Sequence, residues 1–227
     1  MRNISGMKKG VILLSGGIDS AVTLYLAKSR GYQLRALIFD YNQRHKKEIE
    51  RAKRIADLNK IDYQIVKCNL SWVKSALTKR EIKVPSGRKL AGKNIPLTYV
   101  SGRNIIFLSY AASLAESIKA KAIFIGAHIE DYSGYPDCQP DFLNSFQRAL
   151  NLGLKDKGLK IFAPLLKKKK KDIIRIGNRL GVPFEHTWSC YQGGRFPCLR
   201  CDSCRFRRKA FISLGLSDPL KSGKGGK

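Results

Sequence analysis

Short apolar runs alternate along this chain with longer segments whose apolar residues recur at helical spacing. The apolar runs predict strands at residues 11–14, 35–39, 63–69, 122–127 and 160–164. The longer segments predict helices near residues 19–30, 44–58, 103–119, 139–152, 171–180 and 202–213. Strands that alternate with helices are typical of an α/β fold with an open parallel sheet and flanking helices. We therefore predict this fold class for most of the chain.

Polar segments stand at the carboxyl ends of three predicted strands. They are Ser15-Gly16-Gly17, then Asp40-Tyr41-Asn42-Gln43-Arg44, and then Gly126-Ala127-His128. In an open parallel sheet the carboxyl ends of the strands share one edge, and ligands bind just beyond that edge. The sequence thus predicts that three segments far apart along the chain form one site.

The most specific of these segments is the loop that follows the first strand, Ser-Gly-Gly-Ile-Asp-Ser at residues 15–20. Two glycines let the backbone turn tightly and point successive N–H groups at one position. The helix that begins behind them adds its partial positive charge, and Ser15 and Ser20 add hydroxyl donors. This pattern predicts a site for phosphate or pyrophosphate. The alternative is a strand–turn–helix junction that Asp19 caps and that binds no ligand.

Residues 70–101 interrupt the alternation of strands and helices. They include two polar, glycine-bearing stretches, Ser86-Gly87-Arg88-Lys89 and Ala91-Gly92-Lys93-Asn94. A long irregular segment inside a compact domain is usually a functional lid or a disordered loop. We favour a lid, because this segment leads directly into Gly102-Arg103-Asn104.

Composition limits the class of protein and its location. The chain has 227 residues, of which 43% are apolar, so that one domain with an appendage can bury a core. No apolar run approaches the roughly 18 residues that a membrane span needs. The start of the sequence lacks the apolar region of a signal peptide, so we expect a cytoplasmic protein and no membrane partner.

The net charge of +27 is extreme and uneven. Residues 151–227 alone hold 19 Lys and Arg against 5 Asp and Glu, a net charge of +14. Such a surface attracts polyanions, which predicts a non-specific attraction to nucleic acid. The alternative is a basic surface that serves solubility. The sharpest run, residues 167–171, has no interleaved aromatic residues for base stacking and is predicted to lie on the solvated face of a helix.

Four cysteines lie close together near the end of the chain in the pattern Cys-x7-Cys-x2-Cys-x2-Cys. They are Cys190, Cys198, Cys201 and Cys204. Four thiolates complete a tetrahedral zinc site with no open position, which predicts one structural zinc per chain. An iron–sulfur cluster is the alternative, since its ligands also occur at two-residue spacing. A bacterial iron–sulfur run would have a further Cys-Pro where Arg207-Arg208 stand.

Five segments together resemble the 7-cyano-7-deazaguanine synthases, within the superfamily of ATP pyrophosphatases that share the loop at residues 15–20. The segments are Leu14-Ser15-Gly16-Gly17-Ile18-Asp19-Ser20, Asp40-Tyr41-Asn42-Gln43-Arg44-His45, Pro96-Leu97-Thr98-Tyr99-Val100-Ser101-Gly102-Arg103-Asn104, Asp131-Tyr132-Ser133-Gly134-Tyr135-Pro136-Asp137-Cys138 and Ser189-Cys190-Tyr191 with the three later cysteines. The Tyr-Pro-Asp-Cys segment and the cysteine spacing are the narrowest of these signals. Two positions depart from the usual pattern: Ser101 stands where the family has proline, and Asn42 where it has glycine.

The resemblance implies a fold like that of the adenine nucleotide α-hydrolases, which is Rossmann-like, with a small zinc-binding segment at its end. The predicted boundaries are 1–185 for the ATP pyrophosphatase domain, 186–216 for the four-cysteine segment packed on it, and 217–227 for a disordered tail. It also implies an ATP-dependent ligase of deazaguanine biosynthesis that converts 7-carboxy-7-deazaguanine and ammonia to the 7-cyano base through adenylated intermediates. ATP with magnesium, ammonia and the free base are then the partners. A homodimer is one assembly compatible with the sequence, which does not determine the oligomeric state.

Site residues follow from this chemistry. The ATP-binding set is Leu14, Ser15, Gly16, Gly17, Ile18, Asp19, Ser20 and Ala21. The predicted catalytic residues are Asp19, Ser20 and Arg103, with Asp19 either binding magnesium or capping the helix. The substrate-binding set is Tyr41, Gln43, Arg44, Arg103, Asn104, Asp131, Tyr135 and Asp137. Arg103 suits a phosphate or carboxylate because its guanidinium is planar and always charged. Asp131 and Asp137 are candidates for the guanine-like edge.

Two other functions compete with this prediction. A tRNA-modifying ATP pyrophosphatase would adenylate a nucleic-acid substrate, and its basic surface would account for the charge directly. A zinc-bearing nucleic-acid-binding module would use the same charge but would have no use for the loop at residues 15–20. The Tyr-Pro-Asp-Cys segment favours the enzyme that acts on the free base.

Overall fold

The computed structural model describes residues 8–87, 95–129 and 135–220, and these residues form a parallel sheet with helices on both faces. The strands are β1 (Lys8–Leu13), β2 (Tyr32–Asp40), β3 (Tyr63–Lys67), β4 (Ala122–Phe124) and β5 (Lys160–Phe162). The α-helices are α1 (Ile18–Ser29), α2 (Lys47–Leu58), α3 (Arg103–Ser117), α4 (Pro140–Gly153), α5 (Lys170–Arg179) and α6 (Asp202–Ile212). The predicted fold class is confirmed.

The strand order is β3-β2-β1-β4-β5, and all four pairings are parallel. The order along the sheet reverses between β1 and β4, because the chain moves outward to β3 on one side and to β5 on the other. Such a reversal leaves a crevice beyond the carboxyl ends of the two central strands, and ligands of open α/β sheets bind there. This crevice receives the loop that follows β1.

The apolar run of β1 reflects burial on both faces of the sheet. Val11 and Leu13 pack in one core cluster, and Ile12 and Leu14 pack in the other. A parallel strand covered by helices on both faces has no solvated side, so its sequence is continuously apolar and does not alternate. Full burial of each such side chain contributes about 1.5–3 kcal/mol to folding.

The helices divide between the two faces of the sheet. Helices α1, α2, α5 and α6 contribute to the core cluster that contains Ile12, and α3 and α4 contribute to the cluster that contains Val11. In helix α2 the spacing of apolar residues determines which face packs on the sheet. Its buried residues share one face at helical spacing, and they are Ile49, Ala52, Ile55 and Ala56. No helix in the described parts of the chain is long and apolar enough to cross a membrane.

The elements lie where the pattern predicts them, but β4 and β5 are shorter than their apolar runs. After Phe124 only the N–H of Ile125 continues the pairing, with the carbonyl oxygen of Phe162 at 3.0 Å. Gly126 then packs against the backbone of α1, where a Cβ would lie 3.0 Å from the backbone nitrogen of Ser20. The segment after β4 therefore leaves the strand pairing and packs against the start of α1, next to the loop after β1.

The segment predicted to form a lid is described at residues 70–87 and 95–101. Its Ser75 hydroxyl and Ala76 N–H both donate to the carbonyl of Leu97, at 3.1 and 2.7 Å, which closes the segment on itself. The Gly87 N–H donates to Asp202 in α6 at 2.7 Å. Residues 88–94, including most of the two glycine-bearing stretches, lie outside the described residues, and the lid stays a prediction.

The predicted C-terminal tail, residues 217–227, begins with four described residues. Asp218 accepts two hydrogen bonds from the buried guanidinium of Arg207, at 2.7 and 2.8 Å. Arg207 also donates to the Thr187 hydroxyl at 2.7 Å and to the Phe184 carbonyl at 3.1 Å. Asp218 is therefore held against α6, and residues 221–227 lie outside the described residues.

Candidate active site

The loop after β1 is a tight turn that two serines brace. Gly16 adopts a left-handed backbone with φ of 78°, which glycine tolerates without strain. The Ser15 hydroxyl lies 3.0 Å from the Ser20 hydroxyl, and the Ser20 hydroxyl lies 3.2 Å from the carbonyl oxygen of Gly17. The Gly17 N–H in turn donates to the Ser15 hydroxyl at 3.3 Å. These contacts tie the loop to the first turn of α1.

Helix α1 begins at Ile18 behind Gly17, and within the described residues no side chain caps it. The alternative of a junction capped by Asp19 therefore does not describe this helix start. The N–H of Leu14 is bonded to the carbonyl of Leu37 and that of Ala21 to the carbonyl of Gly17. Between them, the N–H of Ser15 donates to the Ser20 hydroxyl at 3.2 Å and that of Gly17 to the Ser15 hydroxyl. The start of α1 lies at the carboxyl end of the sheet, and a helix N-terminus favours an anion.

Close packing fixes the loop against helix α2. A Cβ built on Gly16 would lie 2.3 Å from the backbone oxygen of Glu48 and 2.7 Å from the backbone nitrogen of Ala52. The carbonyl of Gly16 also accepts the N–H of Trp188 at 2.9 Å. The glycine is needed here for space as well as for its backbone angle.

Asp19 forms the main ion pair of the site. Its two carboxylate oxygens accept hydrogen bonds from the Lys170 ammonium at 2.7 and 2.8 Å. The Nε2 of buried His128 lies 3.0 Å from the same ammonium and 3.6 Å from an oxygen of Asp19. Burial alone would raise the pKa of Asp19, but the Lys170 ammonium, with His128 beside it, outweighs burial and lowers that pKa. Asp19 is therefore a carboxylate at neutral pH.

Arg103 opens helix α3 on the opposite side of the crevice. Its guanidinium donates to the Tyr41 hydroxyl at 3.3 Å and lies 5.7 Å from the centre of the Tyr41 ring. Burial acts to lower the pKa of Arg103, but Tyr41, Tyr135 and Asp137 nearby raise it above its ordinary value. Burial also raises the pKa of Tyr41 to about 12, so its phenol stays protonated. The pair presents a fixed cation with hydrogen-bonding capacity.

Asp137 and Tyr135 position the start of α3. The buried Asp137 carboxylate accepts the backbone N–H of Asn104 at 2.9 Å, while the Asn104 amide donates to the Asp137 carbonyl at 3.3 Å. The Tyr135 hydroxyl lies 2.8 Å from the hydroxyl of Thr98. Tyr135 and Asn104 line the cavity, whereas the buried Asp137 is not among the lining residues. The predicted Asp131 lies outside the described residues.

Gln43 and Arg44 hold the turn that follows β2. The Gln43 side chain accepts the Tyr41 N–H at 2.9 Å and donates to the Phe39 carbonyl at 3.1 Å. Asn42, between Tyr41 and Gln43, has φ of 62°. Glycine adopts this conformation freely, and asparagine tolerates it better than most residues. The departure from the usual glycine is thus accommodated.

The Arg44 guanidinium points away from the crevice, into the segment predicted to be a lid. It donates to four carbonyl oxygens, those of Ala76, Lys79, Arg80 and Ile82, at 2.7–3.1 Å. Arg44 is not among the residues that line the cavity, whereas Gln43 and Tyr41 are. The structure therefore gives Arg44 a structural contact, and its predicted binding of substrate stays a prediction.

These groups surround one cavity of about 310 Å³ beyond the carboxyl ends of the strands. The loop and Asp19 form one wall, Arg103 and Tyr41 form another, and Ser189 and Tyr191 close it from the C-terminal segment. The three segments that the sequence places at the edge of the sheet do meet here. The arrangement can bind a polyphosphate at the loop and a flat, polar molecule beside the tyrosines.

Three charged or titratable residues of this cavity, Lys170, His128 and Glu48, are not among the predicted catalytic or binding residues. Lys170 was predicted to lie on a solvated face, because it belongs to a run of five lysines. His128 belongs to a segment that is predicted to reach this edge of the sheet, but its sequence context assigns it no role. Glu48 lies within an ordinary amphipathic helix. A usable signal for Lys170 was its place at the start of the helix that follows β5, at the same edge of the sheet as the loop.

The four C-terminal cysteines come together as predicted. Their sulfur atoms lie within 4.8 Å of one another, and three of the four residues are buried. The N–H groups of Cys198 and Cys201 donate to the sulfurs of Cys190 and Cys198, both at 3.3 Å. Such N–H donors stabilise negative sulfur. The geometry fits one tetrahedral metal ion with no open position.

The cysteine cluster is joined to the cavity through Trp188. This side chain is 1% exposed and packs on Cys190, Cys201 and Cys204. Its indole N–H donates to the Cys190 carbonyl at 2.8 Å, and its backbone N–H binds the loop. A metal ion held by the cysteines would therefore stabilise one wall of the cavity.

Comparison with known proteins agrees with the resemblance that the sequence motifs indicate. The family model described as queuosine biosynthesis protein QueC matches residues 9–215. A 7-cyano-7-deazaguanine synthase from Trichodesmium erythraeum is 50% identical over 220 residues, which are 93% of this chain and 99% of that protein. Another from Clostridium kluyveri is 51% identical over 222 residues, 95% of this chain and 98% of that protein.

Among solved structures, NMN synthetase from Francisella tularensis has a TM-score of 0.53 at 17% identity, covering 94% of this chain and 79% of that one. At this identity the match supports the fold alone.

The two synthases, in contrast, align along almost their whole length, and the matched residues include the loop after β1, the start of α3 and the cysteine cluster. The chain belongs to the QueC family of 7-cyano-7-deazaguanine synthases.

Proposed function

We propose that this protein converts 7-carboxy-7-deazaguanine, ammonia and ATP to 7-cyano-7-deazaguanine. The observation that carries the proposal is the cavity in which the loop after β1, the Asp19–Lys170 pair and Arg103 meet, in a chain about 50% identical to proteins named for that synthase activity. A carboxylate resists attack by ammonia because its charge is delocalised and its leaving group is oxide. The enzyme must first convert that oxygen into a better leaving group.

Activation uses the loop. A carboxylate oxygen of the substrate attacks the α-phosphorus of ATP, the bond to the bridging oxygen breaks, and pyrophosphate leaves. Backbone N–H groups at the start of α1 and the hydroxyls of Ser15 and Ser20 hold the pyrophosphate. Lys170, already 2.7 Å from Asp19, is placed to neutralise the phosphate charge that develops. Arg103 binds the carboxylate or the α-phosphate from the opposite wall.

Ammonia then attacks the acyl carbon, AMP leaves, and an amide forms with loss of a proton. A second adenylation, at the amide oxygen, lets that oxygen leave with AMP while the nitrogen loses its remaining protons to give the nitrile. The same loop and cavity serve both rounds. This scheme predicts that two ATP molecules are cleaved to AMP and pyrophosphate for each nitrile.

The flat base is assigned to the aromatic part of the cavity. Tyr41, Phe107 and Tyr135 line this part, and aromatic side chains suit contact with a flat base. Asp137 supports Arg103 through the start of α3, and Asp131 keeps its predicted role at the guanine-like edge. Gln43 holds Tyr41 in place.

Magnesium and zinc complete the proposal. Mg²⁺ usually binds one or two carboxylates together with phosphate oxygens, and Asp19 is the carboxylate beside the loop. It can take that role once Lys170 moves to the phosphates.

We assign zinc to the four cysteines as a structural ion. Thiolate ligands persist in a reducing compartment, which supports the expected cytoplasmic location. The homodimer stays a prediction.

A tRNA-modifying activity is the second candidate, and the net charge of +27 is the observation that favours it. One experiment separates the two. The purified protein is incubated with 7-carboxy-7-deazaguanine, ATP, magnesium and ammonium, with and without tRNA, and all products are identified by mass. Formation of the 7-cyano base without tRNA supports the first function. A mass increase on tRNA with the free base unchanged would support the second.

A further inference from the structure

Glu48 is a carboxyl group in the cavity that the mechanism above does not use. It lies in the first turn of α2 and lines the same cavity as Asp19 and Arg103. The side chain is half-buried, and within the described residues its carboxyl group has no hydrogen bond and no ion pair. A carboxyl group placed in a cavity without a partner of its own is available to a ligand.

The backbone holds Glu48 at a fixed place relative to the loop. Its carbonyl oxygen packs on Gly16, where a Cβ would approach to 2.3 Å. Ile49 and Ala52, which follow in α2, are buried in the core of the sheet. The carboxyl group can therefore change rotamer, but its Cα cannot move away from the loop without disturbing the packing of both elements.

Charged groups face Glu48 from two other elements. Arg103 at the start of α3 and Cys190 in the C-terminal segment both act on it electrostatically. Burial raises the pKa of Glu48 to about 7; Arg103 acts in the opposite direction, and Cys190 adds a smaller rise. A base with a pKa near the working pH is effective in proton transfer.

We propose that Glu48 is the catalytic base for the nitrogen donor: it binds ammonium beside the acyl adenylate and takes a proton from it. This inference rests on the proposed function and names a part of it that the family resemblance did not supply. Ammonium carries no lone pair and cannot attack, whereas a carboxylate in a cavity both attracts the cation and accepts its proton. Arg103 cannot do this, because it stays charged.

The step is a proton transfer followed by substitution at the acyl carbon. One N–H bond of ammonium breaks, and the proton moves to the Glu48 carboxylate, leaving neutral ammonia. The nitrogen lone pair forms the bond to the acyl carbon, and the bond from that carbon to the oxygen of AMP breaks, so that AMP leaves with the electron pair. The nitrogen then loses one proton to solvent to give the neutral amide, and Glu48 releases its own proton to solvent.

The test compares Glu48→Gln with Glu50→Gln, two residues later in the same helix turn but exposed to solvent. Three rates are measured for each variant. The first is the substrate-dependent exchange of labelled pyrophosphate into ATP without ammonium, which reports adenylation alone. The second is nitrile formation as a function of ammonium concentration. The third is trapping of the acyl adenylate by hydroxylamine, a nucleophile that is largely unprotonated at neutral pH and needs no base.

We expect Glu48→Gln to keep exchange and hydroxylamine trapping within about threefold of wild type, and to lose about 100-fold or more in kcat/KM for ammonium. Glu50→Gln should match wild type in all three. Unchanged use of ammonium by Glu48→Gln would overturn the proposal, and so would an equal loss in all three rates, which would mean a structural role. Wild-type protein that gives neither exchange nor nitrile would instead refute the proposed function.

Discussion

At the scale of single residues, the ion pair between Asp19 and Lys170 sets the charge at the proposed phosphate-binding position. Both oxygens of Asp19 are bound by one ammonium, and the negative charge lies at the N-terminus of α1, where we propose that phosphate binds. An unpaired Asp19 would repel the phosphates. Lys170 neutralises Asp19 in the structure, and under the proposed function it then binds pyrophosphate.

Replacing Lys170 with methionine should stop adenylation. We expect Lys170→Met to lower the rate of pyrophosphate exchange by about 100-fold or more, because a fixed cation at the site of developing charge is removed. Lys171→Met, one residue further along the same run and exposed, is the matched control and should leave the rate unchanged. Equal rates for the two variants would show that Lys170 belongs to a solvated face, as the sequence alone predicted.

At the scale of secondary structure elements, the cysteine segment supports the loop as well as itself. Trp188 packs on the cysteines and binds the carbonyl of Gly16 at 2.9 Å. Loss of a metal ion from the cluster should therefore loosen the loop after β1. The binding of a structural metal ion contributes directly to folding free energy.

Cys201→Ser should release the metal and destabilise the protein. We expect close to one zinc per wild-type chain by elemental analysis and much less in the variant. The variant should also lose several kcal/mol of unfolding free energy, since loss of a structural metal is among the largest single-site effects. Cys68→Ser, at a half-buried cysteine outside the cluster, should keep the zinc. Iron with sulfide, or no metal in wild type, would contradict the assignment.

How far the sequence predicts each element depends on how local its signal is. The loop at residues 15–20 and the four cysteines are contiguous patterns, and their chemistry can be inferred without knowing the fold. Lys170 and Glu48 come from two helices that only tertiary packing brings to one cavity, and each has an ordinary local context. His128 stands in a segment predicted at this edge, but its contact with Lys170 depends on packing. Arg44 shows the converse: its place at the edge of the sheet was predicted, but its direction depends on the fold of residues 76–82.

At the scale of the whole molecule, the charge of +27 predicts attraction to any polyanion but no particular substrate. If tRNA is not a substrate, its binding should fall steeply with salt, because such binding depends on counterion release. We expect no preference among tRNAs and no covalent change on RNA during turnover. Binding that discriminates among tRNAs and persists in salt would favour the tRNA-modifying alternative.

The central claim is that the loop after β1 holds pyrophosphate while the substrate oxygen attacks the α-phosphorus of ATP. The most direct test uses 7-carboxy-7-deazaguanine labelled with ¹⁸O in its carboxylate and follows the label by mass spectrometry. We predict that ¹⁸O appears in AMP, that pyrophosphate is unlabelled, and that the nitrile forms in parallel. Recovery of ADP and phosphate as the nucleotide products, or of AMP without ¹⁸O, would contradict adenylation.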